Sequence, residues 1–409
     1  MKAGLAGVAG LLVLVTGCGS AMAGSSVVTA RAPTARPAVT TTQLNAAASG
    51  ATQFGLDVFG QLAKGGDRNV VTSPSSLATV LAMLLPGARG ATAAAIAKVL
   101  HDGLPVADYT AAVGALQAAS PGTGNTLRES DSVWTQRGMR PSAAYLRLLA
   151  ADFATGVHQT DFRADAEGAR KAINATVASQ TDGIINALFP QGSIDESTLL
   201  VLVNAIYLHA AWQHPFDPGQ TSPQPFRLLN GKTVTVPTMS GLGGDIGYAS
   251  GPGWQMAELP YRGGQLAMDI VMPADGFTAF RARLTGPELT TMMAGLRSES
   301  VDFSLPKFTV SSDEELGEVL TRLGMGPAFG AGADFSGLGL GGASVSTVVQ
   351  DAYIQVGEKG TTAAAASGAA IASAGRVTQA TMAVDRPFLF AIRNIHTGQI
   401  LFLGQVTHP

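Results

Sequence analysis

Six histidines, one cysteine and one Ser-x-x-Lys match are the residues in this 409-residue chain whose types and spacing could carry catalytic or metal chemistry. Ser304-Leu305-Pro306-Lys307 has the spacing with which acyl-transfer enzymes set a lysine beside a nucleophilic serine. That chemistry wants the serine at a helix start, whereas Pro306 lies in a strand pattern. No Ser-Asp-Asn accompanies it, and Lys232-Thr233 continues with Val234 rather than glycine. Among His101, His158, His209, His214, His396 and His408, the pair His209 and His214 is five apart, which misses one helical face. Gly337 to Gly342 imitates a phosphate-binding loop, yet no helix start with a basic residue follows. These patterns imply no cofactor and no metal, and the chain is expected not to be an enzyme.

The most informative stretch has no catalytic residue at all. Gly360 to Gly375 is sixteen residues without a charge, dominated by alanine, between the strand-like segments Asp351 to Lys359 and Val384 to Arg393. An exposed loop ordinarily carries polar punctuation. Laid out as a strand, Thr361, Ala363, Ala365, Ser367 and Ala369 face one way and Thr362, Ala364, Ala366, Gly368 and Ala370 the other, so nothing larger than threonine has to be accommodated. The composition is that of a loop able to become a strand; a flexible Ala/Gly/Ser linker is the alternative left open.

The surrounding elements must hold this segment. Apolar spacing predicts helices over about 44–63, 75–85, 91–100, 141–152, 165–181 and 314–323. Strand patterns run over about 198–208, 256–261, 267–272, 301–310, 388–393 and 399–407. Helices early and strands late predict an α+β fold. With 46% hydrophobic and 13% charged residues, a large core is available, and no linker divides 42–409. A formal net charge of −3 supplies no basic field for nucleic acid.

Ordered motifs then identify a resemblance. Asn69-Val70-Val71-Thr72-Ser73-Pro74-Ser75-Ser76-Leu77, Val203-Asn204-Ala205-Ile206-Tyr207-Leu208 with Trp212 and Pro215-Phe216, Glu258-Leu259-Pro260-Tyr261, Leu305-Pro306-Lys307-Phe308, Glu358-Lys359-Gly360-Thr361 and Asp385-Arg386-Pro387-Phe388 follow one another at family-like spacing. The chain resembles the serpins over nearly its whole length after residue 42. That resemblance implies three β-sheets, eight or nine helices and an exposed reactive loop. It also implies a suicide-substrate inhibitor of serine, or cysteine, endopeptidases: the protease cuts the loop, and the cut loop enters the main sheet before the acyl-enzyme is hydrolysed. Such loop insertion is a stock example of strand addition and stored strain.

Carried over residue by residue, the resemblance assigns a hinge to Glu358, Lys359, Gly360, Thr361, Thr362, Ala363, Ala364, Ala365 and Ala366, with Glu358 pairing to Lys307. Ser73, Ser76, Asn204 and Gln350 take the places of the polar cluster under the opening sheet, the shutter. Ser73 reads equally as a helix N-cap. Trp212, with Lys307 and Glu358, marks the breach where insertion begins. Gln350 stands where the family usually has histidine; it can donate and accept but cannot titrate, which puts pH-dependent gating in doubt. Thr176 and Ile184 also depart from the usual tryptophan and lysine. Fourteen residues on from Gly360, the scissile bond falls at Ala374-Gly375, suited to elastase-like or subtilisin-like enzymes; Arg376, the only basic residue between Lys359 and Arg386, is the trypsin-directed alternative. A non-inhibitory surface binding or structural protein is the other class of reading. The implied partner is a target serine protease held covalently by a monomer.

The N-terminus is separate. Lys2, an apolar run to Val15 and then Thr16-Gly17-Cys18 resemble a bacterial lipoprotein signal, with residues 1–17 removed and lipid placed on Cys18, the only cysteine. Residues 18–41, rich in Ser, Ala, Thr and Pro, are expected to form a flexible tether. The domain then occupies 42–409, exported and held to the outer face of the membrane or released.

Overall fold

The computed structural model describes residues 25–31, 33, 36–119, 121–339, 342–362 and 380–409. The predicted segments 363–366 of the hinge, the bond Ala374-Gly375, Arg376 and Cys18 lie outside them.

Three sheets organise the described residues. The main sheet runs β1 (Ser25–Val28), β4 (Val157–Thr160), β3 (Thr126–Gln136), β5 (Leu200–Ala211), β15 (Gly360–Thr361), β14 (Thr347–Gly357) and β13 (Phe308–Glu315). The second runs β11 (Arg297–Glu299), β8 (Ile246–Gly251), β9 (Trp254–Pro260), β10 (Leu266–Pro273), β17 (Phe388–Asn394), β18 (Ile400–Val406) and β2 (Val70–Thr72). The third joins β16 (Ala380–Ala383), β12 (Val301–Pro306), β7 (Thr233–Met239) and β6 (Ser222–Arg227). β5 is buried along nearly its whole length. Its sequence Leu200-Val-Leu-Val-Asn204-Ala-Ile-Tyr is accordingly almost continuous in apolar residues, as a strand covered on both faces must be.

Around the sheets lie α1 (Thr41–Leu62), α2 (Pro74–Leu84), α3 (Gly90–Val99), α4 (Val106–Gln117), α5 (Ala143–Asp152), α6 (Ala166–Gln180), α7 (Phe277–Arg283) and α8 (Gly286–Ala294). A ninth helical segment, Gly317 to Phe329, is interrupted by a π turn in which Gly324 adopts φ 113°. Thr40 caps α1 reciprocally with Gln43, and Thr285 does the same for α8 with Glu288. One core packs α1, α2 and α4 against the sheets. A second fills the space between the main and second sheets with Ile206, Leu208, Phe308, Phe390 and Phe402. A third lies under α6, around Trp134, Phe162 and Ile173.

Three expectations need correction. The run 301–310 is two strands: β12 and β13 belong to different sheets and part at Lys307, whose N–H still donates to Pro237 O of β7 at 2.9 Å while Phe308 opens the pairing with Val356 of β14. The helix expected over 314–323 begins only at Gly317, because Glu314 and Glu315 still pair with Gln350 and Val349. Within the expected tether, Ser25–Val28 pairs antiparallel with Thr160–Val157 and extends the main sheet. The pattern missed β3, β4 and α4, whose charged and small residues blur the apolar period, and also β6, β7, β8, α7 and α8.

Candidate functional site

The seam between β5 and β14 carries the predicted hinge. Thr347–Tyr353 of β14 pairs in parallel with Val201–Tyr207 of β5. Beyond that stretch the strands separate, and Gly360–Thr361 sits between them, antiparallel to both: Thr361 lies opposite Val356 and Ala210, and Gly360 opposite Gly357 and Ala211. Only glycine fits at 360. A Cβ there would stand 2.1 Å from Ala210 O, and φ is +149°.

The preceding turn is tied down on both sides. Glu358 forms an ion pair with Lys307 Nζ at 3.0 Å and accepts from Thr221 Oγ at 2.9 Å. Burial pushes the Glu358 carboxyl up, but its own backbone N–H, Lys307 and Thr221 outweigh that and hold it below its ordinary value. The Glu358 carbonyl accepts from Phe216 N–H at 3.0 Å, and Lys359 contributes its backbone carbonyl to Trp212 N–H at 2.9 Å. Trp212 Nε1 donates to Gly357 O at 2.9 Å, and its indole stacks on Tyr261 with centroids 4.4 Å apart and planes 14° from parallel. The Tyr261 hydroxyl is hydrogen-bonded to that of Thr361. Trp212, Lys307 and Glu358 are therefore brought together, and Tyr261, quoted in a motif but given no role from sequence, belongs with them. At Thr362 the chain turns away, with φ 47°, its N–H on Gln355 O at 2.6 Å and its buried hydroxyl without a hydrogen-bond partner.

Lower on the seam, Ser73, Ser76, Asn204 and Gln350 also meet. Gln350 lies opposite Asn204 across β14 and β5, and Asn204 opposite Asp131 across β5 and β3, so three polar side chains form a row over three strands. Gln350 Oε1 accepts from Thr72 Oγ at 2.6 Å and from Ser73 N–H at 3.0 Å; its Nε2 donates to Ser73 O at 3.3 Å and to Asn204 Oδ1. Asn204 Nδ2 donates to Ser76 Oγ and to Asp131 Oδ1 at 2.6 Å. Asp131 further accepts from Ser76 Oγ at 2.6 Å and Gln117 Nε2 at 3.3 Å. Ser73 makes two kinds of contact: its hydroxyl caps α2 by accepting from Ser76 N–H, and its backbone N–H donates to Gln350 Oε1.

The row has a direction. Ser73 N–H is a fixed donor at one end, Asp131 receives only donors at the other, and the two amides between them must point one way to satisfy both. Asp131 retains some surface, yet it is packed closely enough that burial pushes its carboxyl up to about 7 against the three hydrogen bonds that lower it. Glu129, two residues away on the same strand face, is raised as well by burial and by Asp131. Replacing the usual histidine by Gln350 thus leaves a titratable group in the cluster. Sequence reasoning missed Asp131 and Gln117; the one signal was an acid in the Thr126–Gln136 segment, which shares a sheet face with Asn204 once the strands pair.

Among the described residues, no group of three or more His, Cys, Asp or Glu side chains could hold a metal. No helix among them is long and apolar enough to cross a membrane.

A family model described as "Serpin (serine protease inhibitor)" matches residues 49–409. Leukocyte elastase inhibitor of Bos taurus is 35% identical over 373 residues, covering 88% of this chain and 98% of its own. Plasminogen activator inhibitor 1 of Sus scrofa is 33% identical over 371 residues, covering 88% and 92%. Among solved structures, Serpin48 of the insect Tenebrio molitor, described as a highly specific serpin, is similar with a TM-score of 0.80 at 28% identity, covering 90% of this chain and 98% of its own. These matches correct the bare negative drawn from sequence, that the chain is no enzyme: they replace it with a positive assignment to protease inhibitors, which are not enzymes in the catalytic sense.

Proposed function

The chain belongs to the serpin family of serine protease inhibitors, and from that premise we propose that it is a suicide-substrate inhibitor which traps its protease as an acyl-enzyme. The observation that carries the reading is that Gly360 and Thr361 occupy the first two places of a strand between β5 and β14, at the open end of a seam whose other end is closed.

In this reading the protease serine attacks the Ala374 carbonyl, the amine of Gly375 leaves with a proton from the protease base, and Ala374 remains esterified to the enzyme. Insertion continues from Thr361 down the seam and draws the protease against the lower end of the domain. Hydrolysis of the ester needs an intact oxyanion hole and a placed base, so distortion of the protease stops deacylation. Below Tyr353 the strand must displace the direct β5–β14 pairing and the Gln350–Asn204 hydrogen bond; this barrier is what keeps the uncut protein from inserting its own loop. The small Ala374 suits a shallow primary pocket of elastase or subtilisin type.

Cys18 carries the lipid in the same reading. Six residues lie between it and Ser25, the first residue of β1, so the link of seven Cα-to-Cα steps spans at most about 25 Å and the inhibitor stands close to the membrane surface. The mass of the mature N-terminus in the envelope fraction checks this, and unmodified Cys18 removes it.

The test of the function is incubation with an elastase, a subtilisin and a trypsin, followed by a search for an SDS-resistant adduct. An adduct with elastase or subtilisin that releases a peptide beginning at Gly375 is expected. A trypsin adduct releasing a peptide from Val377 moves the reactive residue to Arg376, and cleavage without any adduct or gain in thermal stability assigns the chain to non-inhibitory serpins.

A further inference from the structure

We infer that Tyr261 is the positioning residue that seats the hinge: its hydroxyl reads the hydroxyl of Thr361 and holds that residue as the first rung of the incoming strand. The inference rests on the insertion reading above and adds to it a named side-chain pair.

Thr361 and Tyr261 are both fully buried, and the space around them is lined by Trp212, Ala210 and Val356. A hydroxyl brought into such a place has to find a partner or remain unsatisfied. Each of these two finds the other, at 2.5 Å. Burial pushes the Tyr261 phenol well above its ordinary range, so it stays protonated and either hydroxyl can donate. The Tyr261 ring is in turn stacked on the Trp212 indole, whose Nε1 donates to Gly357 O, while the Trp212 backbone N–H donates to Lys359 O. The residues that grip Gly357 to Thr361 thus form one closed set, and Tyr261 is the member that contacts the inserting side chain.

Thr362 shows where seating stops. It holds a left-handed φ of 47° and leaves its hydroxyl unpartnered, both unfavourable for a β-branched residue. A fully extended residue 362 would relieve that backbone conformation, so the hinge is fastened at 361 and loaded at 362.

The test uses hydrogen exchange on the intact mature protein, which needs no protease. Thr361→Val keeps shape and loses the hydroxyl; Thr361→Ser keeps the hydroxyl; Tyr261→Phe removes the partner. Thr361→Val and Tyr261→Phe should each speed exchange of the amides at 360–362 about tenfold, as expected for loss of one buried hydrogen bond. Thr361→Ser should stay near wild type, and the double variant Thr361→Val, Tyr261→Phe should be no worse than either single change. Wild-type protection in Thr361→Val, or loss of protection in Thr361→Ser equal to that in Thr361→Val, overturns the inference. The same variants are then titrated against a trapped protease. More inhibitor consumed per protease in Thr361→Val than in Thr361→Ser ties seating to trapping. If no variant or wild type traps any protease while the exchange pattern holds, the inhibitory reading fails and the seating pair stands.

Discussion

At the Thr347 end, β14 pairs directly with β5 and a row of Gln350, Asn204 and Asp131 crosses the strands, whereas at the Gly357 end the same strands stand apart around Gly360 and Thr361 with Trp212 and Tyr261 beside them. The lower clasp is made of directional groups, each needing its partner in one orientation. Losing one member leaves others buried and unsatisfied, so the clasp holds or fails as a unit. The upper socket is made largely of stacked rings and backbone hydrogen bonds, with one side-chain pair, Tyr261 and Thr361, and these admit an extended chain of small residues that has glycine at 360. One seam therefore has an end built to stay shut and an end built to admit a strand.

The widest test of this contrast is Gly360→Val. Its side chain would drive into Ala210 O, so the seated residues should be expelled, protection of 360–361 lost, and the unfolding free energy lowered by about 2–3 kcal/mol in urea titration. Retained protection would show that the upper end is no more selective than an ordinary loop.

Asn204→Ala attacks the other end. It strips Gln350 Nε2 and Asp131 of a partner and should cost about 2 kcal/mol. Its effect on trapping should have the opposite sign: Gly360→Val impedes insertion, while Asn204→Ala should hasten spontaneous insertion, seen as faster loss of inhibitory activity on storage with a more heat-stable product. A variant as durable as wild type would remove the distinction between clasp and socket.

The clasp should also respond to pH. Asp131 ionises at about 7 in the folded protein and near 4 in an unfolded chain. Between those values the folded state keeps a proton that the unfolded state has lost, so stability falls as pH rises through the window and the loss is complete once the folded carboxyl has ionised. Asp131→Asn abolishes that contribution. The stability difference between wild type and variant should change by ~1 kcal/mol per pH unit between about pH 5 and 7. Asp269 and Asp351 are raised too, but they are common to both proteins and cancel in the difference; Glu129, which Asp131 itself raises, does not cancel, so the same comparison is made in a Glu129→Gln background. A flat difference curve would mean that Asp131 is not the titrating member of the row.

Lys307→Ala should matter least. Lys307 is 42% exposed in its pair with Glu358, so the change should cost roughly 0.5 kcal/mol and shrink further in high salt. A cost several times larger would mean that the ion pair, and not the Trp212–Tyr261 stack, secures the top of the seam.

Much of this arrangement was legible beforehand, though unevenly. Ser73, Ser76, Asn204, Trp212, Lys307 and Glu358 were named from ordered motifs and Gln350 as a departure from the family pattern, and they converge on one seam. Asn204 also stood out physically, as the one strongly polar residue in the apolar run 200–208. Asp131 and Tyr261 could not be assigned roles, because an acid in a mixed strand and a tyrosine after a proline have many ordinary explanations until their neighbours are known. The split at Lys307 and the pairing of Ser25–Val28 were missed for the same reason: sheet membership depends on which edge is available, not on local propensity.

By itself the amino-acid sequence determined the family, the α+β character and a stretch of small uncharged residues able to enter a sheet. These are properties of local composition and order. The tertiary structure alone decided that the first two residues of that stretch are already seated, that Thr361 meets Tyr261 a hundred residues away, and that Gln350 is oriented by Ser73, 277 positions earlier. A hydrogen bond depends on distance and direction in space, and the chain acquires those only when its sheets close.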